Sequence, residues 1–121
     1  MAIMGFRETK QRVIQALRTG QFEHEVRAND SISEKNDLYA GRVTVEEVVQ
    51  MLLACNGRQY KTAPHHQMPC DVHIFSPNHR AVRWYVKVYF LSELPADPDL
   101  PALETLGYDT IFISVHPSEH A

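Results

Sequence analysis

The clearest pattern in the chain is the alternation of apolar and polar side chains over residues 81–90, AVRWYVKVYF. Successive side chains of a β-strand point to opposite faces, so every second residue shares a face. The set expected to face the core is Val82, Trp84, Val86, Val88 and Phe90. The set expected on the second face is Arg83, Tyr85, Lys87 and Tyr89. The pattern therefore predicts a half-buried strand with two phenols and two cations on its second face.

Two amphipathic patterns predict helices earlier in the chain. Residues 6–18 place apolar side chains at helical spacing and end before Gly20, a residue type common at helix ends. The second pattern begins at TVEE, a capping box in which Thr44 is the N-cap and Glu47 reaches back to it. Because apolar residues then recur every three to four positions, we predict a helix over residues 45–55.

Shorter segments complete the predicted order of elements. They are an edge strand at 21–26, a short helix around 33–39, a loop at 58–70 with room for one short strand at 58–61, a strand at 70–76, a turn at 77–80, a strand at 81–91, a long connection at 92–109 and a final strand at 110–116. In the final strand, the residues expected to face the core are Ile111, Ile113 and Val115. Those expected on the second face are Phe112, Ser114 and His116.

Helices followed by strands are typical of an α+β domain. The chain has 121 residues, of which 44% are apolar, which is enough for one core. We therefore predict one α+β domain over 1–121, with the N-terminal helices packed on one face of a small antiparallel sheet. The second face of that sheet is expected to remain open.

Charge is distributed unevenly around a net value of −3. Residues 58–90 carry five Lys or Arg and one Asp, a net charge of +4, whereas residues 91–121 carry six acids and no Lys or Arg. A basic middle favours a polyanionic partner such as RNA. Charge segregation also occurs on ordinary solvated surfaces, so it favours RNA only weakly.

Other features of the sequence exclude several classes of protein. Cys55 and Cys70 are too few for a disulfide framework, and the N-terminus has no apolar signal-peptide core. No stretch approaches the length of a membrane span, and the glycines form no phosphate-binding loop. We therefore expect a cytoplasmic protein with no membrane contact and no cofactor.

The polar strand face, together with Lys61, carries the side chains that metal-free RNA cleavage requires. Lysine can stabilise charge on a phosphate, and tyrosine or histidine can transfer a proton. The nucleophile comes from the RNA itself, as the 2′-hydroxyl beside the phosphate. Tyr, Lys and Arg are also common on any half-exposed sheet, so spacing alone leaves both interpretations open.

The run HHQMPCDVH, residues 65–73, raises two further hypotheses. Its His, Cys and Asp side chains are metal-ligand types, but the spacing matches no zinc signature and we expect no metal. A nucleophilic pair of Cys70 and His116 is the second hypothesis. No local feature marks either cysteine of the chain as activated, so a structural role is expected for both.

The chain resembles the MqsR family of toxins from bacterial toxin–antitoxin pairs in the order of five short segments: VIQALRTGQ, QYKT, CDVHIFSP, WYVKVYF and IFISVH. The resemblance extends over most of the chain. It implies a RelE-like fold and metal-independent cleavage of single-stranded mRNA, which inhibits translation. It also implies that a cognate antitoxin protein binds and neutralises the chain.

The resemblance assigns roles residue by residue. Lys61 of QYKT would be the cation at the phosphate, Tyr85 of WYVKVYF a proton donor or phosphate ligand, and His116 the basic residue at the end of the last strand. The residues expected to bind the substrate beside them are Arg80, Arg83, Lys87 and His65.

Two departures from the family pattern keep other hypotheses open. Cys70 replaces the family's glutamine, whose contact is then missing or supplied by Gln67, and the 92–109 connection is longer and more acidic than the family's hairpin. One alternative is a BrnT-like ribonuclease with the same fold class and a different site. Another is a catalytically silent RNA- or protein-binding module on the same scaffold.

Overall fold

The computed structural model describes residues 5–25, 35–95 and 106–118, which form an α+β fold. Within these ranges the helices are α1 (Phe6–Thr19), α2 (Asp37–Ala40) and α3 (Val45–Ala54). The strands are β1 (Phe22–His24), β2 (Tyr60–Pro64), β3 (Asp71–Phe75), β4 (Asn78–His79), β5 (Val82–Phe90) and β6 (Thr110–Pro117). Parts of the predicted elements at 21–26, 33–39 and 92–109 lie outside the described residues.

The helices predicted over 6–18 and 45–55 are confirmed as α1 and α3, and the signals for both come from residues close together in the sequence. Helix α1 ends at Gly20, whose φ of 73° is the left-handed conformation that favours glycine. Helix α3 begins with the expected capping box, because Thr44 accepts from the Glu47 amide and Glu47 accepts from the Thr44 amide. Both helices pack on one face of the sheet. No helix in the described ranges has the length and apolar composition that crossing a membrane requires.

The sheet has the strand order β1-β6-β5-β3-β2, and β4 pairs with β5 beside this path. Strands β2, β3, β5 and β6 pair antiparallel, whereas β1 runs parallel to β6. The sheet is therefore mixed, and the prediction of a purely antiparallel sheet is wrong at this edge. The error arises because β1 and β6 are far apart in the sequence. No local pattern of residues indicates that two such distant strands pair, or in which direction.

Strand β5 has the two faces that its alternation predicts. Val86, Val88 and Phe90 are fully buried in the core beneath the helices, and Trp84 packs against them. Tyr89 lies on the second face, as predicted, but it is only 6% exposed. The second face is therefore closed at the Tyr89 end of β5.

Strand β6 departs from strict alternation. Its register with β5 shifts between Lys87 and Val88, and Ile113 is the extra residue of the resulting β-bulge. Phe112 is therefore fully buried on the core face beside Val88, whereas Ile111 lies on the second face. This arrangement is the reverse of the prediction for Phe112 and Ile111, because alternation does not anticipate an inserted residue.

The turn between β4 and β5 lies later than predicted. Asn78 pairs with Arg83 and His79 with Val82, so the loop consists of Arg80 and Ala81 alone. Their φ angles are 53° and 65°, which fits the left-handed backbone of a tight two-residue hairpin. The predicted turn at 77–80 is therefore displaced towards β5.

Candidate functional site

Four strands contribute to one transverse row of side chains on the second face. Lys61 of β2 is opposite Ile74 of β3, and Ile74 is opposite Lys87 of β5. Lys87 is in turn opposite Ser114 of β6. Neighbouring strands lie about 4.8 Å apart, so the Cα atoms of Lys61 and Lys87 are separated by about 10 Å. Two lysine side chains at this separation can reach one anion lying above Ile74.

A tyrosine–histidine pair lies beside this row. Tyr85 of β5 is directly opposite His116 of β6, and their ring centroids are 5.7 Å apart. The Lys87 ammonium lies 5.9 Å from the centroid of the Tyr85 ring. The register thus brings five residues together on what we term the cationic face: Lys61, Tyr85, Lys87, Ser114 and His116.

The imidazole of His116 has one nitrogen committed to the backbone. Its Nδ1 lies 2.9 Å from the carbonyl oxygen of Pro117. A carbonyl oxygen only accepts hydrogen bonds, so in this contact Nδ1 carries the proton. Nε2 of the neutral ring is then an acceptor, and no described residue forms a hydrogen bond with it. His116 is therefore arranged to accept a proton from a ligand on the cationic face.

The other polar groups of this face are equally uncommitted within the described ranges. Neither Lys61 nor Lys87 forms an ion pair with a described residue, and the Tyr85 hydroxyl forms no hydrogen bond with one. Unpaired ammonium groups on one sheet face attract anions. The strand register confirms the predicted shared face of Tyr85, Lys87, Ser114 and His116 and adds Lys61, which lies in β2 and not in a loop.

Arg83 extends the cationic face and Arg80 does not. Arg83 is exposed and precedes Tyr85 by two positions on the same strand, so it lies on the same side of the sheet. Arg80 is in the turn, with a side chain that is 75% exposed and a guanidinium 3.4 Å from the Glu47 carboxylate of α3. The ion pair with Glu47 therefore directs the Arg80 guanidinium towards helix α3.

His65 is also separated from the cationic face. Its side chain is 1% exposed, and Nε2 lies 2.7 Å from the Glu25 carboxylate. Nδ1 accepts the backbone N–H groups of Gln67 and Met68, both at 3.0 Å. The ring packs edge-on against Tyr89. Both nitrogens are thus used in holding loop 65–70 over one end of the sheet, which leaves none for a substrate.

A second polar cluster, on the helix-covered face, was not predicted from the sequence. The Tyr60 hydroxyl lies 2.7 Å from Nδ1 of His73, and Nε2 of His73 lies 2.6 Å from the Glu93 carboxylate. A carboxylate only accepts, so Nε2 donates to Glu93 and Tyr60 donates to Nδ1. Burial raises the pKa of the Tyr60 phenol, and the carboxylates of Glu93 and Asp71 raise it further. One feature of the sequence indicates that His73 is buried. His73 and Phe75 are two positions apart in β3, so their side chains lie on the same face of the sheet.

The cysteines lack the features of a nucleophile. Burial raises the pKa of the Cys55 thiol. Burial also raises the pKa of the Cys70 thiol, with further increases from the nearby carboxylates of Glu93, Asp71 and Glu25. Both thiols are therefore protonated at neutral pH. Among the described residues, no group of three or more His, Cys, Asp or Glu side chains is arranged to hold a metal ion.

Comparisons with protein-family models, with curated proteins and with solved structures found no match to the chain. The resemblance to the MqsR family therefore depends on the five short sequence segments. The candidate site is supported by its own geometry.

Proposed function

We propose that the chain is a metal-independent endoribonuclease that cleaves single-stranded RNA on the cationic face. The observation that carries the proposal is the state of His116. Its Nδ1 is fixed by a backbone carbonyl, and its Nε2 is left as an acceptor beside Tyr85. A general base must have a free acceptor within reach of the substrate proton, and this requirement supports His116, which lies near two lysines that form no ion pair with a described residue.

The proposed reaction uses the RNA as its own nucleophile. The 2′-oxygen attacks the adjacent phosphorus, which forms a 2′,3′-cyclic phosphate and breaks the bond from phosphorus to the next 5′-oxygen. Nε2 of His116 accepts the proton of the 2′-hydroxyl, and the Tyr85 hydroxyl gives a proton to the departing 5′-oxygen. Solvent then returns both side chains to their starting protonation states.

The lysines have an electrostatic role in this scheme. Negative charge develops on the non-bridging phosphate oxygens as the 2′-oxygen attacks, and positioned cations stabilise it. Lys87 is adjacent to Tyr85, and Lys61 approaches from the other side of Ile74. The resemblance to the MqsR family supports the same assignment of Lys61, Tyr85 and His116.

The choice of single-stranded RNA is supported by the aromatic side chains of the cationic face. Unstacked bases can stack on aromatic rings, and the half-buried Tyr85–His116 pair provides two of them. In a cell, cleavage of mRNA by the chain would inhibit translation, which is the action of a toxin. A cognate antitoxin is then the expected protein partner, in keeping with the resemblance.

The experiment that tests the proposal is incubation of the purified chain with a long unstructured RNA in EDTA, followed by mapping of the product ends. We expect 2′,3′-cyclic or 3′-phosphate ends from the wild type and from His66→Ala, a matched change of an exposed histidine. His116→Ala is expected to yield no products on the same time scale. Products with 3′-hydroxyl ends, or full activity of His116→Ala, would contradict the proposal. Saturable binding without products would indicate the silent RNA-binding module instead.

A further inference from the structure

Ser114 carries a buried hydroxyl that the described residues leave without a partner. The residue is 4% exposed, and its Oγ atom forms no hydrogen bond with any of them. Buried hydroxyls are nearly always hydrogen-bonded, since leaving one unpaired costs free energy. An exception on the cationic face therefore calls for an explanation.

The β-bulge of β6 determines where this hydroxyl lies. Ile113 is the inserted residue, and the strand resumes with Ser114 directly opposite Lys87. Bulges recur next to active sites because they re-aim a single side chain. Directly opposed residues of neighbouring strands have Cβ atoms about 4.5–5.5 Å apart, so a phosphate held by Lys87 can lie within reach of the Ser114 side chain.

We propose that Ser114 is a phosphate-binding residue, whose hydroxyl donates a hydrogen bond to a non-bridging oxygen of the phosphate that Lys87 holds. This inference rests on the ribonuclease function proposed above. Lysine has a long flexible stem, so Lys87 turns towards the phosphate and uncovers the hydroxyl as it does so. The phosphate then accepts the hydrogen bond that the Ser114 hydroxyl donates to none of the described residues.

The bond from Ser114 strengthens as the reaction proceeds. Charge on the non-bridging oxygens increases when the 2′-oxygen attacks, and a donor that gains strength in the transition state raises kcat more than it lowers KM. Removing the hydroxyl is therefore expected to slow cleavage by about a hundredfold to a thousandfold, as for other single donors to a developing oxyanion. Most of this loss is expected in kcat.

The test compares Ser114→Ala with Ser92→Ala, in which the lost hydroxyl is exposed and bonded to Asp109. Each variant is assayed on RNA with a single cleavable site, made with oxygen or with either phosphorothioate diastereomer at that phosphate. In the wild type, one diastereomer is expected to be cleaved more slowly because its sulfur replaces the oxygen that Ser114 contacts. Ser114→Ala should cleave the oxygen substrate about a hundredfold to a thousandfold more slowly and should lose that diastereomer preference. Ser92→Ala should retain both the rate and the preference.

The possible results separate this inference from the proposed function. If the wild type cleaves RNA and Ser114→Ala matches it in rate and diastereomer preference, the phosphate-binding role of Ser114 is wrong and the ribonuclease stands. A slower Ser114→Ala with an unchanged preference would mean a structural role and would also overturn the inference. If the wild type yields no products, both proposals fail together. Thermal unfolding of each variant checks that rates are compared between folded proteins.

Discussion

Among the tyrosine–histidine pairs of the described residues, Tyr60–His73 and Tyr85–His116 lie on opposite faces of one sheet. Tyr60 and His73 stack with centroids 6.1 Å apart, their hydroxyl and Nδ1 are 2.7 Å apart, and Glu93 lies 2.6 Å from the other nitrogen. Tyr85 and His116 have centroids 5.7 Å apart with rings inclined by 46°. No described residue bonds the Tyr85 hydroxyl or Nε2 of His116.

The difference between the pairs shows that residue type alone does not identify a site. His73 is 3% exposed, so its nitrogens must find partners within the fold. The pair on the cationic face is half-buried and leaves donors and acceptors for a ligand. We therefore propose that the Tyr60–His73 pair stabilises the fold and that the Tyr85–His116 pair carries out the chemistry.

The largest expected effect is on stability and concerns His73. His73→Ala removes the hydrogen-bond partner that Tyr60 and Glu93 share and opens a cavity, which should lower the free energy of unfolding by about 3 kcal/mol. Urea denaturation measures this change, and His66→Ala in the exposed loop should stay within about 0.5 kcal/mol of the wild type. Equal stability of the two variants would contradict the structural role of the Tyr60–His73 pair.

The next effect separates the two tyrosines. Tyr85→Phe keeps the ring and removes the proposed proton donor, so single-turnover cleavage should slow by about a hundredfold or more. Tyr60→Phe should keep the wild-type cleavage rate and lose about 1 kcal/mol of stability, because Nδ1 of His73 loses its donor. A slow Tyr60→Phe and a normal Tyr85→Phe would reverse the assignment of roles.

A smaller effect concerns the unpaired lysines. Each lysine that contacts a phosphate contributes about 0.7 to the slope of log binding constant against log salt concentration for single strands. Lys61→Ala and Lys87→Ala should each reduce that slope by about this amount in fluorescence anisotropy with a non-cleavable deoxyoligonucleotide. Arg80→Ala serves as the control, since its guanidinium faces Glu47, and it should leave the slope unchanged.

The smallest effect is a pH dependence of stability at His24. Burial lowers the pKa of His24, whose Nδ1 accepts a hydrogen bond from Asn36 at 2.8 Å. Below about pH 6.5 the unfolded chain binds a proton at His24 that the folded chain does not, so this residue makes stability fall as pH falls. Urea titrations at pH 5.5 and 7.5 measure this contribution. The free energy of unfolding should change less between the two pH values for His24→Gln than for the wild type. An identical change in both proteins would contradict the prediction.

Local patterns predicted much of the fold and of the site. The α3 capping box and the alternation of β5 each depend on neighbouring residues, and both were confirmed. The shared face of Tyr85 and His116 was also predicted, because β6 keeps strict alternation from Ser114 onwards, after its bulge. Predictions failed where partners distant in sequence decide the outcome. The bulge at Ile113 depends on pairing with β5, and His65 is buried by Glu25, which lies 40 positions away.

Other features of the site required atomic positions. The proton on Nδ1 of His116 follows from its contact with a backbone carbonyl, and no residue pattern encodes that contact. The role of His73 was also hidden, because Glu93 reaches it from beyond the end of β5. In both histidines, the hydrogen-bond partners rather than the residue type determine what the ring can do.

The most direct test of the comparison is the cleavage rate of His116→Gln and His73→Gln on one RNA in EDTA, each corrected for the fraction of folded protein. We expect that His116→Gln loses a factor of about 10² to 10⁴ in rate, whereas folded His73→Gln cleaves as fast as the wild type. If folded His73→Gln is the slow variant and His116→Gln is not, the chemistry lies in the Tyr60–His73 pair and the central claim is wrong.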